Sequence, residues 1–351
     1  MKIIHVITSF GIGGAEKLLL NVINQQIEEH EVYLIYLKPI DDLIHLIDDR
    51  VQVKNIVLSF TIISKLKTYF KTINPDIIHT HLGHADLLGM WSARNLQAKV
   101  FCTMHNIYFK KNMLDILFFK MYSYLFKNKN IDVNVIAISK AVNNHVVDVL
   151  KLPIDKSYLL YNAIPFKKIE KRKEEGDKIH LLFVGRLEKQ KSISTLLKAI
   201  SHINNNEIEV TIVGDGKLKI ELQQQVLGLG LNEQVTFEGK QKDTDKYYKN
   251  ADIFILPSIW EGFGIVILEA FRAELAVIAS NIEGPAELIK HANNGLLFEP
   301  ENYIDLANKI TMLISDKKLR DVLSVNGFNT FSENFHIEPY VKRLNDIYIN
   351  A

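Results

Sequence analysis

Short runs of Val, Ile and Leu recur along this chain without polar alternation, and segments of helical periodicity separate them. Strands that are buried on both faces have this pattern, as in a parallel sheet covered by helices. Their alternation with helices predicts right-handed βαβ units and an α/β fold. The predicted strands are Lys2–Thr8, Glu31–Leu37, Asp76–His81, Lys99–Met104, Val135–Ser139, Tyr158–Tyr161, Ile179–Val184, Glu209–Val213, Val235–Phe237, Ile253–Leu256 and Val277–Ala279.

A length of 351 residues is typical of two domains rather than one. The strand–helix pattern pauses once, at residues 167–178, where the chain is too rich in charge to be buried. We therefore predict a linker there, between an N-terminal domain (1–165) and a C-terminal domain (166–335). Open α/β sheets bind ligands beyond the carboxyl ends of their strands, so the expected site is a cleft between the two domains.

Composition excludes several classes of protein. Lys and Arg number 42 and Asp and Glu 41, a net charge of +1, whereas nucleic-acid-binding domains are usually strongly basic. The single cysteine, Cys102, fits a reducing compartment. No apolar run approaches the roughly 18 residues of a membrane span, and the first apolar run is expected to be a buried strand rather than a leader peptide. The expected location is the cytoplasm, with peripheral contact to a membrane left open.

A glycine-rich loop, Gly11-Ile12-Gly13-Gly14, follows the first predicted strand and leads into a helix near Ala15. Glycines let backbone amides approach a phosphate, and a helix N-terminus favours an anion. A dinucleotide-binding fingerprint is incomplete, because Glu16 stands where the third glycine belongs and no clear acidic residue ends the second strand. This disfavours a nicotinamide dehydrogenase. A tight strand-to-helix turn would also explain the glycines.

Two cations, Arg186 and Lys191, follow the first strand of the second domain, just before a helix predicted to start near 192–195. Cations at a helix N-terminus oppose its dipole, so they are poorly placed for stability alone. An anion between them would relieve this, and a diphosphate has a suitable charge. The alternative is a solvated loop with flexible lysines.

Two carboxylates stand eight residues apart after the strand Ile253–Leu256. Glu261 lies in a glycine-flanked loop, and Glu269 lies among apolar residues of a helix predicted over Ile265–Arg272. A buried carboxylate is costly unless it is hydrogen-bonded, and a pair of hydroxyl groups would be a suitable partner. The alternative is an acidic residue that only stabilises a helix dipole.

Other residues are weaker candidates. His105 follows a strand at its carboxyl end, where it is either functional or only caps a loop. His79, His81 and His84 resemble a metal cluster, but no nearby Cys or Glu completes a site, so no metal is predicted. Asp243-Thr244-Asp245 resembles a metal-binding D-x-D sequence, although the start of a helix explains it better.

Taken together, these features resemble glycosyltransferase family 4 over essentially the whole chain. The motifs that carry the resemblance are G-G-A-E at 13–16, G-R-L at 185–187 with Lys191, V-G-D-G at 213–216, F-E-G at 237–239, A-D-I-F-I-L-P-S at 251–258, E-G-F-G at 261–264, Glu269, E-G-P-A-E-L-I at 283–289 and N-G-L-L-F at 294–298. The resemblance implies a GT-B fold of two Rossmann-like domains, a nucleoside-diphosphate sugar as substrate, retention of anomeric configuration and no metal or other cofactor. It also implies that residues 336–351 form a helix returning to the N-terminal domain.

The resemblance also implies roles for individual residues. Arg186 and Lys191 would neutralise the diphosphate leaving group, Glu261 would contact the hydroxyls of the donor sugar, and His105 would contact the transferred sugar. Donor binding would further involve the ribose-binding Glu269, the base-lining segment 237–240 and backbone amides, which gives the set Gly13, Gly14, Phe237, Gly239, Phe263, Gly264 and Glu269. Glu16 and Asn162 would lie on the acceptor side.

Two motifs depart from the family pattern. An interdomain Asn-Gly-Val-Asp is replaced by Asn162-Ala163-Ile164-Pro165, and Gly-Gly-x-Pro-Glu is replaced by E-G-P-A-E at 283–287. Neither change removes a charged group of the predicted site. The predicted function is transfer from a UDP-sugar, favoured over a GDP-sugar, to a surface polysaccharide (capsule or lipopolysaccharide) or a polyprenyl-diphosphate-linked oligosaccharide. The alternatives are a soluble sugar or sugar-phosphate acceptor, and a non-catalytic nucleotide-sugar-binding subunit.

A basic stretch indicates where a membrane would be met. Residues 60–130 hold ten cationic and three acidic residues, a net charge of +7, interleaved with aromatic residues that include Tyr108 and Phe109. Lysines beside aromatic residues suit an anionic inner-leaflet surface. The alternative is a buried helix, because 113–126 is apolar nearly all round.

Overall fold

The computed structural model describes residues 1–105, 107, 113–128, 130–167, 169 and 178–351. The chain divides into two compact units. Unit 1 contains Met1–Pro165 and Ile337–Ala351, and unit 2 contains Phe166–His336. Most of the predicted linker, namely Lys168 and residues 170–177, lies outside the described residues.

Unit 1 is built on a parallel sheet. Its strands are β1 (Lys2–Ile7), β2 (Glu31–Tyr36), β3 (Gln52–Asn55), β4 (Ile77–His81), β5 (Lys99–Met104), β6 (Val133–Ala137) and β7 (Ser157–Leu159). Within the described part of unit 1, these seven strands have the order β3-β2-β1-β4-β5-β6-β7. Strands β4 and β6 are buried at every residue, as predicted for a parallel sheet covered by helices, although β4 contains two histidines and a threonine and β6 an asparagine. The prediction missed β3 and placed β6 and β7 one or two residues too late.

Helices connect these strands. They are α1 (Gly14–Gln26), α2 (Ile62–Ile73), α3 (Gly83–Ala93), α4 (Met113–Phe126) and α5 (Lys140–Asn144). Helix α2 packs on α3, and α3 packs on α4 and on β1 and β4. Helix α1 begins directly after the glycine-rich loop, with the extended Gly13 as its N-cap residue. The N-terminus of α1 therefore stands at the carboxyl end of β1, where the sequence predicted it.

Unit 2 has a second parallel sheet. Its strands are β8 (Ile179–Val184), β9 (Ile208–Val213), β10 (Val235–Gly239), β11 (Ile253–Leu256), β12 (Ala276–Ser280) and β13 (Leu296–Phe298). In the part of unit 2 that is described, the order of these six strands is β10-β9-β8-β11-β12-β13. Strand β13 was not predicted. Strands β8 and β11 are neighbours, so the loops that follow them lie side by side.

The helices of unit 2 are α6 (Ile193–Ile203), α7 (Lys219–Gly228), α8 (Asp245–Asn250), α9 (Ile265–Arg272), α10 (Glu283–Leu288), α11 (Tyr303–Ser315) and α12 (Lys317–Asn334). Helix α9 has the predicted bounds. The last helix, α13 (Ile337–Asn350), belongs to unit 1, where it packs on α1. Across the described residues, no helix has the length and apolarity needed to cross a bilayer.

Candidate active site

The loops after β8 and β11 bring two of the predicted charged residues together. Lys191, in a single 3-10 turn over Lys189–Lys191, donates a hydrogen bond to Oε2 of Glu261. The two side chains are only 12% and 16% exposed, so solvent screens this ion pair incompletely. Gln190 Nε2 also donates to the backbone oxygen of Trp260, at 2.8 Å. The two loops are thus joined at the carboxyl end of the sheet.

This pairing modifies the sequence argument about the two cations. Helix α6 begins at Ile193, as predicted, and Lys191 stands just before its N-terminus. Glu261 supplies a negative charge there, and it offsets the unfavourable interaction between the lysine and the helix dipole. Arg186 follows Gly185 and is exposed. Arg186 is therefore accessible to an anion, whereas Lys191 would have to share its charge between Glu261 and an anion.

The Glu261 loop depends on two glycines. Gly264 has a φ of +94°, a backbone conformation that L side chains rarely adopt. A Cβ added to Gly284 of α10 would lie 2.9 Å from the backbone nitrogen of Phe263, which is too close for a real side chain. Phe263 itself is buried. Gly284 therefore allows α10 to approach the loop that carries Glu261. The sequence shows this glycine in E-G-P-A-E but does not reveal its contact.

Glu269 is held by a side chain that sequence reasoning missed. It lies on α9, and the whole residue is 9% exposed. The hydroxyl of the buried Tyr248 donates a hydrogen bond to its Oε2 at 2.8 Å. Burial raises the pKa of Tyr248 well above its usual value, so this phenol keeps its proton and remains a donor. The sequence predicted that a buried Glu269 carboxylate needs a hydrogen-bond donor, and Tyr248 of the protein itself is such a donor.

The predicted base-lining segment lies at an irregularity of β10. The register with β9 shifts between Phe237 and Gly239, and Gly239 has a φ of +68°. Gly214, after β9, donates its N–H to the backbone oxygen of Gly239 at 2.8 Å. Glu238, between Phe237 and Gly239 in the chain, accepts a hydrogen bond from the hydroxyl of Tyr247 at 2.8 Å. The ends of β9 and β10 are therefore tied together where Phe237 and Gly239 were predicted to act.

Asp243 and Asp245 have structural partners. Oδ1 of Asp243 accepts the N–H of Asp245 at 2.9 Å, at the first residue of α8. Asp245 forms ion pairs with Arg272 at 2.6 Å and Lys167 at 2.7 Å. The predicted helix start is confirmed, although the residue at the N-cap position is Thr244 and its side chain makes no capping bond.

In unit 1, Gly13, Gly14, Glu16 and His105 occupy the carboxyl ends of β1 and β5. A Cβ on Gly13 would collide with the carboxylate of Glu16, so this side chain lies over the first turn of α1. His105 lines a small cavity together with Ala15, His79, His81 and Thr103. In the described part of the chain, the buried Nε2 of His105 has no hydrogen-bond partner. Burial lowers the pKa of His105 to about 4, so its ring is neutral at neutral pH.

Asn162, the other predicted acceptor-side residue, is buried in unit 1. Its Oδ1 finds no hydrogen-bond partner among the residues that the structure describes.

A buried group of histidines contains His5, which the sequence analysis overlooked in favour of His84. The parallel register places His5 opposite His79, and His5 Nδ1 lies 3.1 Å from Nε2 of His81. Gln26 accepts from the other nitrogen of His5 at 2.8 Å. Burial lowers the pKa of His5 to about 4 and the pKa values of His79 and His81 well below their usual range.

These three histidines are close enough to hold a metal ion, a grouping not found elsewhere among the described residues. Both ring nitrogens of His79 are already engaged, by Tyr348 at 2.5 Å and Thr103 at 2.7 Å. With His5 bonded to Gln26 and His81, the trio is satisfied as a hydrogen-bonded network. It fastens α1 and α13 to the sheet.

Comparison with known proteins assigns the family. Residues 12–168 match the family described as Glycosyltransferase Family 4, and residues 166–330 match Glycosyl transferases group 1. The uncharacterized glycosyltransferase MJ1178 of Methanocaldococcus jannaschii is 30% identical over 278 residues, 78% of this chain and 75% of that protein. The chain therefore belongs to glycosyltransferase family 4.

Solved structures confirm the GT-B fold predicted for this glycosyltransferase. Anabaena Alr3699/HepE in complex with UDP-glucose has a TM-score of 0.90 at 20% identity, with all of both chains covered. Sucrose-phosphate synthase from Thermosynechococcus elongatus has a TM-score of 0.86 at 19% identity, covering 99% of this chain and 98% of that one. At these identities the likeness concerns the fold alone.

A named relative of the glycosyltransferase acts on a lipid-linked acceptor. A Campylobacter jejuni α-1,4-N-acetyl-D-galactosaminyltransferase, named for a diNAcBac-PP-undecaprenol substrate, is 27% identical over 96% of this chain and 95% of its own length. By comparison, the matched segment spans 59% of the M. jannaschii glycosyltransferase MJ1607, at 33% identity.

Proposed function

We propose that this glycosyltransferase moves a sugar from a UDP-sugar to a polyprenyl-diphosphate-linked oligosaccharide or a surface polysaccharide, with retention of configuration and without a metal ion. The observation that carries the proposal is the meeting of Lys191 and Glu261 at the ends of two neighbouring strands. A cation for a diphosphate and a carboxylate for sugar hydroxyls then stand side by side. Arg186, exposed after β8, adds the second cation.

The proteins that resemble this chain support the choice of donor and acceptor. HepE has been crystallised with UDP and with UDP-glucose. An Escherichia coli relative, 28% identical over 78% of this chain, is named a UDP-Gal:α-D-GlcNAc-diphosphoundecaprenol α-1,3-galactosyltransferase. A UDP-sugar donor and a polyprenyl-diphosphate-linked acceptor are therefore the first pair to test.

The chemistry requires charge stabilisation at one phosphate. The bond between the anomeric carbon and the diphosphate oxygen breaks, the acceptor oxygen forms the new bond, and the acceptor proton is released. Negative charge grows on the leaving diphosphate, so Arg186 and Lys191 act more strongly in the transition state than in the bound donor. Glu269 would hold the ribose hydroxyls equally throughout the reaction. Glu261 would orient the donor sugar, and the neutral His105 would contact it as it is transferred.

The test begins with donor binding. A panel of UDP- and GDP-sugars is screened by thermal melting, because a ligand that binds only the folded state raises the melting temperature. We expect UDP-sugars to stabilise the protein, and Glu269→Ala to weaken that binding while turnover at saturating donor is largely retained. Stabilisation by GDP-sugars alone would contradict the choice of nucleotide.

Transfer is then measured with the best donor and two acceptors, a polyprenyl-diphosphate-linked saccharide and the same saccharide free in solution. We expect the lipid-linked acceptor to be used, and NMR of the product to show the anomeric configuration of the donor. An inverted product would refute retention. Donor binding without transfer to either acceptor would favour a non-catalytic subunit instead.

Helix α4 supports association with the inner face of a membrane. The predicted alternative, a helix buried all round, is wrong, because among the side chains of α4 that the structure describes, Tyr122 and Leu125 are buried and those on the opposite side are exposed. The opposite side is exposed, and its residues recur at helical spacing: Met113, Ile116, Leu117, Lys120, Met121 and Tyr124. Apolar side chains beside exposed Lys120 and Lys127 suit an anionic bilayer. Other residues of the predicted surface, including Tyr108, Phe109, Lys110, Lys111 and Lys129, lie outside the described residues.

Cosedimentation with vesicles at low salt tests this surface. We expect binding to vesicles containing phosphatidylglycerol, and loss of binding in the variant Leu117→Asp, Met121→Asp. The matched control is Ile220→Asp, Leu227→Asp, which changes two exposed apolar residues of α7 in unit 2. Equal binding by both variants, or no binding by the wild type, would refute the assignment of α4.

A further inference from the structure

Tyr248 is a fully buried polar side chain that the proposed reaction does not use. It lies on the short helix α8, and its ring packs against Phe254 with the ring centroids 5.8 Å apart. Its hydroxyl is directed at one oxygen of Glu269, 2.8 Å away. A buried phenol needs a hydrogen-bond partner, but a backbone carbonyl would satisfy it equally well. Its actual partner is the carboxylate proposed to bind ribose.

A second contact joins the same two helices. Oδ1 of Asp245, at the start of α8, accepts a hydrogen bond from Arg272 at the end of α9, at 2.6 Å. Asp245 and Tyr248 are three residues apart, as are Glu269 and Arg272, so each pair shares one face of its helix. Helices α8 and α9 are therefore held at two points, one turn apart. This frame restricts the position of the Tyr248 hydroxyl relative to Glu269.

The hydrogen bond from Tyr248 does not by itself prevent Glu269 from binding a ligand. A carboxylate has about four lone-pair sites, and the phenol uses one of them. A hydrogen bond to a charged acceptor is shorter and stronger than one between neutral groups. One oxygen of Glu269 is thus fixed by α8, and the orientation of the second oxygen is fixed with it.

We propose that Tyr248 is a positioning residue, which orients the carboxylate of Glu269 toward the ribose hydroxyls of the donor. The proposal rests on the ribose-binding role given to Glu269 under the proposed function. Tyr248 does not touch the donor. Its removal should therefore weaken only the part of donor binding that depends on the ribose hydroxyls.

The test compares two ligands, UDP and 2′,3′-dideoxyuridine diphosphate, by calorimetric titration. The wild type should bind UDP more tightly than the dideoxy compound. In Tyr248→Phe, which keeps the ring, the Kd of UDP should rise by about tenfold, the effect of one lost hydrogen bond to a charged group. The Kd of the dideoxy compound should stay within about twofold, since it lacks the groups that Glu269 would bind.

Tyr247→Phe is the matched control. It removes the neighbouring hydroxyl of α8, whose partner is Glu238. It should change the two dissociation constants by the same factor, so that their ratio is unchanged. If Tyr248→Phe also leaves this ratio at the wild-type value, its role is structural and the proposal is wrong.

Two further variants distinguish a failure of the ribose-binding role of Glu269 from a failure of the positioning role of Tyr248. If Glu269→Ala retains the wild-type preference for UDP, Glu269 does not bind ribose, and both proposals fail at this residue. If Glu269→Ala loses the preference while Tyr248→Phe keeps it, only the positioning role is wrong. Should Tyr248→Phe not fold, Asp245→Asn loosens the other α8–α9 contact. It should reduce the preference for UDP by about threefold, and an unchanged preference would overturn the proposal.

Discussion

The two units use the same architecture, a parallel sheet between helices, but they place their polar groups differently. In unit 1, His5, His79 and His81 lie within the sheet, uncharged and bonded to groups of α1 and α13. In unit 2, the charged pair Lys191 and Glu261 lies beyond the strand ends, partly exposed. Buried neutral networks fix how elements pack, whereas charges at strand ends are available to a ligand. Unit 1 should therefore respond to acid in its stability, and unit 2 should respond to mutation in its activity.

The largest expected effect is acid destabilisation of unit 1. Burial lowers the pKa values of His5 and His105 to about 4, and it lowers those of His79 and His81 well below their ordinary range. Below about pH 6.5 these histidines bind protons in the unfolded chain but not in the folded chain. Their contribution to stability is therefore complete above pH 6.5 and is lost as the pH falls toward 4. At pH 5, His5 and His105 should each lower the free energy of unfolding by about 2 kcal/mol relative to neutral pH, and His79 and His81 should lower it as well.

The two tryptophans, one in each unit, allow this to be measured. The variant Trp260→Phe reports on unit 1 through Trp91, and Trp91→Phe reports on unit 2 through Trp260. Denaturant unfolding is followed at pH values from 7.5 to 5. Over this range, acidification should lower the free energy of unfolding reported by Trp91 more than that reported by Trp260. Equal losses in both would erase the contrast between the units.

The next effect concerns catalysis by unit 2. Arg186→Ala and Lys191→Ala should each remove about 2–4 kcal/mol of transition-state stabilisation, about 30- to 1000-fold in turnover. Arg186→Ala should change the free energy of unfolding by less than about 1 kcal/mol, since Arg186 is exposed. Lys191→Ala should also lower the free energy of unfolding, because it leaves the mostly buried Glu261 without its cation. Steady-state kinetics at saturating donor provides the measurement, with the exposed Lys189→Ala as control. A double variant with wild-type turnover would rule out the diphosphate role.

A smaller effect sharpens the description of unit 1. Burial raises the pKa of Asp86 to about 6, and Tyr122 donates to its Oδ2 at 2.7 Å. The folded chain therefore holds this proton more tightly, so the contribution of Asp86 is favourable at low pH and is lost as the pH rises through 6. It opposes the histidines between pH 4 and 6.

The variant Asp86→Asn removes this opposing contribution. The stability curve reported by Trp91 should become steeper in that range by up to about 1.4 kcal/mol per pH unit. The exposed Asp132→Asn in the same unit is the control. An unchanged slope in Asp86→Asn would show that this carboxyl titrates normally.

The smallest expected effect is that of chelation. Asp243 and Asp245 are engaged in the start of α8 and in ion pairs, and the proposed cations at the diphosphate are side chains. Turnover should therefore persist in excess EDTA. Complete loss of activity, restored by Mn²⁺ or Mg²⁺, would reinstate a metal and reopen the role of both aspartates.

The sequence predicted the interior of each sheet better than its edges. Central strands such as β11 are buried at every residue and apolar throughout. The missed strands, β3 and β13, are edge strands. The residues of β3 are mostly exposed and polar, so no apolar run marks it, and the apolar run of β13 is only three residues long.

The site shows the same limit. Local motifs identified Arg186, Lys191 and the helix that carries Glu269, because each follows a predicted strand. Tyr248 and His5 were missed because their partners lie 21 and 76 residues away. A histidine within an apolar strand was the one available signal for His5, and only the parallel register reveals its neighbours.

Helix α13 has a consequence for how the protein is made. It completes unit 1 but follows all of unit 2 in the chain, so a ribosome synthesises residues 166–336 before the helix emerges. At about 5–20 residues per second this takes roughly 10–30 s. During that interval His79 lacks its partner Tyr348, and Gln26 lacks Asn345. The surface of unit 1 that α13 covers is thus exposed during this interval, when a chaperone could bind it.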